Sequence, residues 1–366
     1  MRILYDHQAF SGKQFGGVAR YFYDLMVSLR ALNVETKLSA KFSNNAYLAE
    51  DDEFSVQKFK FFLGHMPTNM LFSHVNRLNS ALNLSLKNYD VFHPTFYNPY
   101  FLNFIGKKPF VLTYHDLIKE KLEFDYLDTV GKDKKQFLLD KASAVIAVSE
   151  NTKNDLIECF DIKPEKITVV YHGSQFKTFI PLPVSFAKPL PKDYLLYVGM
   201  RNDYKNFLPY LMAIAPILHK FPDLHFICAG GGDFNTHEKQ VINDLKLNDK
   251  VIYHDIDDNI LHHLYSKAKA FVYPSLYEGF GIPILEAYAC NCPVLLSKTS
   301  CFPEVAQDAA LYFEPTNIDS IQHELEKIIL SDSLRQSLIE KGQKRQEFFS
   351  LEKTAQQTLQ VYQSIL

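Results

Sequence analysis

Two glutamates frame a glycine-bearing turn in the stretch Pro274-Ser275-Leu276-Tyr277-Glu278-Gly279-Phe280-Gly281-Ile282-Pro283-Ile284-Leu285-Glu286-Ala287. A carboxylate accepts hydrogen bonds from paired hydroxyls, so Glu286 suits a ribose and Glu278 a second sugar. Gly279 and Gly281 permit a tight turn and close approach of a ligand. Pro283 suits the opening turn of a helix, where its missing N–H costs nothing. The N–H groups from Phe280 through Ile282 to Ile284 then face outward at a helix start and favour an anion, a diphosphate above all. Alone, Glu286 reads as an acid favoured by the helix dipole and Glu278 as a loop charge. With glycines between them, the ligand reading prevails.

A diphosphate needs cations. Gly199-Met200-Arg201-Asn202-Asp203-Tyr204-Lys205-Asn206 supplies a rigid guanidinium fork and a compact ammonium after a strand-ending glycine. Arg201 also reads as a solvated loop charge. Lys205, beside the glycine turn, reads as functional. Gly16 and Gly17 follow a strand and open a helix, where the backbone can approach a ligand; a tight helix-start turn explains one of them, though less well both. His115, in Thr113-Tyr114-His115-Asp116, ends a strand, and open α/β sheets bind ligands beyond the carboxyl ends of their strands. Ser149 reads first as a helix cap and second as a site residue.

These residues sit on a regular alternation of elements. Short apolar runs at Ile3–Tyr5, Val34–Leu38, Val91–His93, Phe110–Tyr114, Ala144–Val148 and Thr168–Tyr171 read as buried parallel strands. Tyr21, Phe22, Leu25, Met26 and Leu29 carry helical spacing within Val18–Leu32. A Pro-rich stretch, Pro181 to Pro191, reads as a linker. A second series follows: strands at Tyr194–Val198, Leu224–Ala229, Val251–His254, Ala270–Tyr273, Val294–Ser297 and Leu311–Phe313, with helices between, then a helical tail from Ile318 to Leu366. This pattern predicts an α/β chain of two Rossmann-like parallel-sheet domains, residues 1–180 and 190–350, facing across a cleft. Residues 351–366 end the helical tail with apolar Leu351, Ala355, Leu359, Val361, Tyr362 and Leu366. Lys58–Arg77 is aromatic and mildly basic; a buried helix pair explains it best, a membrane or acceptor-groove cover second.

The 366 residues carry 39 Lys+Arg against 42 Asp+Glu, a net charge of −3, which argues against a nucleic-acid binder. The 47% hydrophobic content excludes a disordered chain. The N-terminus lacks the order of a signal peptide, and no apolar run is long enough to span a bilayer, so a cytoplasmic location is expected. Cys159, Cys228, Cys290, Cys292 and Cys301 have no paired zinc spacing and read as free thiols. Asp255-Ile256-Asp257 is not read as a metal site, since Asp257 or Asp258 suits a helix N-cap, and no metal is expected. Gly230-Gly231-Gly232-Asp233 lacks dinucleotide spacing but can approach a nucleotide's base or ribose.

The Glu278–Ala287 stretch resembles the signature of retaining, family-four glycosyltransferases of the GT-B fold. The Arg201–Lys205 stretch, the Gly16–Gly17 loop and the His115–Asp116 pair match further motifs of that family in order, so the resemblance covers nearly the whole chain. It implies that the second domain binds a nucleotide-sugar and the first an acceptor. His115, Glu278, Arg201 and Lys205 then act catalytically. Gly16, Gly17, Gly199, Gly279, Phe280, Gly281, Ile282 and Glu286 hold donor, and His7, Ser149 and His172 meet acceptor. No cofactor is implied beyond the donor. The Asp6–Phe22 region resembles bacterial enzymes of surface-polysaccharide assembly, mannosyltransferases among them. GDP-mannose is therefore the first expectation and a UDP-sugar the next. The acceptor is a glycan or polyprenyl-linked oligosaccharide, met at the inner face of the membrane. The resemblance also implies that the final helix, residues 351–366, crosses back to the first domain; Leu351 stands where relatives often have Trp. A sugar phosphorylase, a nucleotide-sugar epimerase and a non-catalytic two-lobed sugar-binding protein are the competing readings.

Overall fold

A computed structural model of the chain describes residues 1–11, 15–49, 51, 54, 56–57, 68–122, 130–177, 180–184, 186 and 189–366. It divides into two units, Met1–Gly173 with Leu351–Leu366, and Ser174–Ser350. The Pro-rich stretch thus lies within the second unit rather than ahead of it. Its Leu182 N–H donates to Asn259 Oδ1 (2.8 Å), which ties that backbone to the helix Asp258–Lys267.

In the first unit, strands β1 (Arg2–Tyr5), β2 (Glu35–Leu38) and β3 (Val91–His93) form one parallel sheet in the order β2-β1-β3. Strands β4 (Val111–Tyr114), β5 (Ala144–Ala147) and β6 (Ile167–Val169) form another, in that order. A single bridge between Phe92 and Phe110 joins them, so Phe110 makes an isolated contact and does not extend β4. Strands β3, β4 and β5 are buried at every residue, which is why their sequences are continuous apolar runs. The helix Gly17–Ala31 buries Tyr21, Phe22, Leu25, Met26 and Leu29 against one face. Each such side chain contributes about 2–3 kcal/mol of burial.

The final helix, Leu351–Ser364, packs in this same core through Ala355, Val361 and Tyr362. The Tyr362 hydroxyl bonds with Tyr5 Oη (2.8 Å) and His93 Nδ1 (2.6 Å). The predicted helical tail is interrupted at Ser331, which caps Asp332–Gln346 by accepting the Leu334 N–H (3.1 Å), and again before Leu351. Of the Lys58–Arg77 segment, residues 58–67 lie outside the described residues; the remainder belongs to the helix Thr68–Ser85.

In the second unit, strands β7 (Asp193–Val198), β8 (Leu224–Ala229), β9 (Val251–His254), β10 (Ala270–Tyr273), β11 (Val294–Ser297) and β12 (Leu311–Phe313) form one sheet. The order is β12-β11-β10-β7-β8-β9, all parallel. This is the doubly wound order, and its direction reverses between β7 and β10. Ligands of such sheets sit beyond the carboxyl ends of the strands at that reversal. Cys228, Cys290, Cys292 and Cys301 are buried free thiols here, their pKa values raised by burial.

Candidate functional site

Strands β7 and β10 are neighbours, so the loops leaving their carboxyl ends meet. Lys205, in the loop after β7, places Nζ 2.5 Å from Glu278 Oε1, in the loop after β10. The two side chains are 14% and 11% exposed, which makes this a largely desolvated ion pair with one edge open. Lys205 also reaches the Tyr273 hydroxyl (3.4 Å) and lies over the Tyr204 and Tyr273 rings. Glu278 is held from three sides. Ser275 Oγ donates to its Oε1 (2.7 Å), Lys205 donates to the same oxygen, and its own N–H donates to Ser300 Oγ (3.1 Å). Between the loops, Leu276 N–H donates to the Tyr204 carbonyl (2.7 Å), fixing one against the other.

Gly281 follows at φ +88°, the left-handed region, as the N-cap of the helix Ile282–Ala289. A Cβ there would stand 3.0 Å from Phe302 Cε1 and 3.1 Å from Ile284 Cδ1. Pro283 occupies the first turn, as predicted for a helix start with no capping side chain. Glu286 lies on this helix and accepts from Tyr265 Oη (3.2 Å). Phe280 is buried edge-on against Phe349 (5.6 Å). An ammonium, a carboxylate and a helix start are thereby grouped at one sheet end, able to receive a phosphate beside a polyol.

Arg201 is not part of that group. Its guanidinium donates from Nε to Glu238 (3.0 Å), from Nη1 to the Gly230 carbonyl (3.1 Å), and from Nη2 to the carbonyls of Gly232 (2.7 Å) and Asp233 (3.0 Å). The Arg201 and Glu238 side chains are 4% and 5% exposed. The sequence expectation set Arg201 beside Lys205 on a diphosphate; in this structure the guanidinium holds Glu238 and the turn after β8. Three of its four bonds go to carbonyls of the glycine turn after β8 and the fourth to Glu238 on the helix Thr236–Asp244, and the fork matches carbonyls set at the rim of that turn. Gly199, at φ +122°, ends β7 and donates to the Ala229 carbonyl (2.9 Å), so that the turns after β7 and β8 touch. Ser275, Ser300, Tyr273 and Glu238 were not singled out from sequence. Only the Ser275-x-x-Glu278 spacing carried a local signal for such a pair.

In the first unit, the predicted residues lie at strand ends. His115 follows β4. Its ring packs edge-on to Tyr21 (4.9 Å) and Phe22 (5.8 Å) and stacks on His172 (5.8 Å, 9°). His115 Nε2 is buried and has no hydrogen-bond partner among the described residues. His7 is turned inward, its Nδ1 bonded with Ser80 Oγ (3.0 Å) and near Tyr100 Oη (3.4 Å). Ser149 caps Glu150–Cys159 by accepting the Thr152 N–H (3.0 Å), and Asp257 likewise caps Asp258–Lys267 through Ile260 (2.8 Å). Gly16 has an extended backbone, and a Cβ at Gly16 or Gly17 would meet nothing within 4 Å. Among the described residues, neither glycine is required by the packing around it.

Burial holds His115 and His93 near a pKa of about 3, with their mutual repulsion adding at His93, and holds His172 well below its ordinary value. These imidazoles are neutral in the folded protein while the unfolded chain takes up protons below pH 6.5. Stability therefore falls as pH drops from about 6.5, by roughly 2 kcal/mol per such histidine at pH 5. Thermal melting at pH 7.5 and 5.0 checks this: the wild type loses more on acidification than His93→Gln. Equal losses would count against it.

Two family models match the chain: "Glycosyltransferase Family 4" over residues 15–174 and "Glycosyl transferases group 1" over residues 182–345. The O-antigen chain mannosyltransferase RfbU of Salmonella typhimurium is 35% identical over 185 residues, covering 50% of this chain and 50% of that protein. The match therefore spans half the length of that relative. O-antigen chain mannosyltransferase B of Escherichia coli is 29% identical over 293 residues, 75% of this chain and 74% of that protein. Among solved structures, sucrose-phosphate synthase from Thermosynechococcus elongatus superposes with a TM-score of 0.77 at 20% identity, covering 100% of this chain and 98% of the other. HepE of Anabaena, solved with UDP and glucose, gives 0.74 at 18% identity, with 100% of each chain covered. These likenesses establish the fold, and the models and relatives the lineage. The chain belongs to the family-four glycosyltransferases of the GT-B fold, and it resembles the mannosyltransferases of surface-polysaccharide synthesis.

Proposed function

We propose that the protein moves a mannosyl residue, with retention and without a metal, from a nucleoside diphosphate to an acceptor hydroxyl. GDP-mannose is the favoured donor and a UDP-sugar the second. The acceptor is a glycan or polyprenyl-linked oligosaccharide of surface-polysaccharide synthesis, met at the inner membrane face. The observation that carries this reading is the Lys205–Glu278 pair at the sheet reversal, beside the Gly281 helix start. The two similar O-antigen mannosyltransferases favour mannose.

On donor binding, the Lys205 ammonium turns to the diphosphate and the Glu278 carboxylate accepts from hydroxyls of the transferred sugar. Glu286 takes the ribose. The helix start at Gly281 meets phosphate oxygens with Gly279, Phe280 and Ile282 around it. The open backbone at Gly16 and Gly17 admits the ligand on the first unit, and the Nε2 of His115 is available to a sugar hydroxyl. Arg201 and Gly199 act at one remove, by shaping the turns after β7 and β8. We assign no side chain among the described residues as a nucleophile. The acceptor oxygen therefore bonds to the anomeric carbon on the face from which the diphosphate oxygen departs. The acceptor's proton passes to the leaving phosphate, and Lys205 stabilises the charge left on it.

Calorimetric titration of GDP and of UDP, separately and with a chelator present, tests the donor assignment. GDP binding in preference to UDP is the expected result. Selective UDP binding overturns the mannose assignment, and binding of neither overturns the nucleotide-sugar reading.

A further inference from the structure

The first unit carries an apolar stripe beside a cationic groove, and neither takes part in the site above. On the helix Thr68–Ser85 and the turn that extends it, Leu78, Leu82 and Leu86 recur every fourth residue and are 67%, 66% and 73% exposed. The Leu86 N–H donates to the Leu82 carbonyl (3.1 Å), so the stripe continues one turn beyond the helix. The opposite side is buried through Asn76, Ser80, Ala81 and Leu84. One exposed leucine is ordinary; three in a row on a single face are not.

The stripe runs into a depression of about 290 Å³ lined by His74, Arg77, Leu78, Ala81, Asn103 and Phe104. Arg77 and Asn103 are shared with a larger groove of about 1060 Å³. Among the described residues the groove's charged lining is Arg77, Lys107, Lys108, Lys134 and Lys141, with no carboxylate among them. Asp133 and Asp140 belong to the same helix as Lys134 and Lys141 but do not line it. Lys87 donates to the Phe104 carbonyl at the junction, and its pKa is lowered by burial and by the charge of Lys108. The chain as a whole has a net charge of −3, so this concentration of cations is local.

We propose that this face of the first unit docks on an anionic lipid bilayer, with Leu78, Leu82 and Leu86 entering the interface and the groove's cations meeting headgroup phosphates. A soluble anion would use the cations and leave the leucines without purpose. A bilayer uses both, since apolar insertion and attraction to anionic headgroups act together. Charge complementarity selects the anionic surface. The inference deepens the reading of a lipid-borne acceptor and rests on it, while nucleotide binding by the second unit is measured apart from it.

The test is co-sedimentation of the full chain with vesicles of phosphatidylcholine alone or with about 30% phosphatidylglycerol. Expected is binding to the anionic vesicles only, weakened as salt rises from about 50 to 500 mM. Lys107→Glu/Lys108→Glu/Lys134→Glu should cut partitioning at least about tenfold. Leu78→Ser/Leu82→Ser/Leu86→Ser should cut it comparably with every cation in place. Both variants should keep the wild-type melting temperature and nucleotide binding. Equal binding to both vesicle types, or to neither, overturns the proposal. So does an unchanged leucine variant, or release by millimolar inorganic pyrophosphate, which would make the groove a pocket for free phosphate. Lost nucleotide binding with intact vesicle binding would instead strike the donor reading.

Discussion

Lys205→Ala loses sugar transfer by about 10²–10³-fold and keeps its fold, because one preorganised donor to a developing charge is worth roughly 3–4 kcal/mol in the transition state. The side chain is placed for this by its loop. Asn206, at φ +56°, opens the helix Phe207–Lys220, and its side chain donates to the Pro315 carbonyl (3.0 Å). The neighbouring Tyr204 carbonyl accepts from Leu276. The ammonium therefore arrives at Glu278 from a backbone tied at two points. Its removal takes the cation from Glu278 and leaves it with the Ser275 and Tyr273 hydroxyls, at a cost of about 1–3 kcal/mol to the second unit. Melting separates that cost from the catalytic loss, since a chain that melts a few degrees lower is still folded at assay temperature. Lys205→Arg keeps the charge but brings a planar fork where a compact ammonium sits, and should fall between the two. An active, normally folded Lys205→Ala would remove Lys205 from the machinery.

The second large effect is on stability. Gly231→Ala should destabilise the second unit by about 3–5 kcal/mol, among the largest losses a single substitution produces. A Cβ at Gly231 would stand 2.6 Å from the Gly199 carbonyl oxygen and 2.9 Å from Met200 Cα, both backbone atoms that no rotamer change can move. The residue is also at φ +75°, which a side chain disfavours. Its neighbours calibrate the effect. At Gly230 the nearest atom is the end of the Ile256 side chain (2.9 Å), which can swing away, and at Gly232 nothing lies within 4 Å. Both have positive φ, so alanine there should cost only about 1–2 kcal/mol. Chemical denaturation of the three variants gives the ranking. Equal losses at all three would show that backbone conformation alone, and not the approach of the two turns, limits this site.

The same comparison shows what could be read without coordinates. Strands β7, β8, β10 and β11 are short apolar runs between turn residues, and a strand buried on both faces leaves that trace in any sequence. The start of Ile282–Ala289 was legible because Gly281 and Pro283 answer local backbone demands. The Ser149 and Asp257 caps were legible for the same reason, a side chain bonding to an N–H three residues on. Long-range matters were not. The Lys205–Glu278 pair joins residues 73 positions apart, and it exists because β10 pairs with β7. Arg201 looked like Lys205's partner by proximity in sequence, yet its fork faces Glu238 and the glycine turn 29–32 positions away. His7 and His172 carried no mark of their inward orientation. The chain itself specified its elements, its two α/β series and its candidate chemistry, because propensity, capping and turn geometry act over a few residues. Which charges meet, which glycines must stay bare and which face carries the leucine stripe were decided by strand order and packing, since those contacts form between segments that sequence leaves apart.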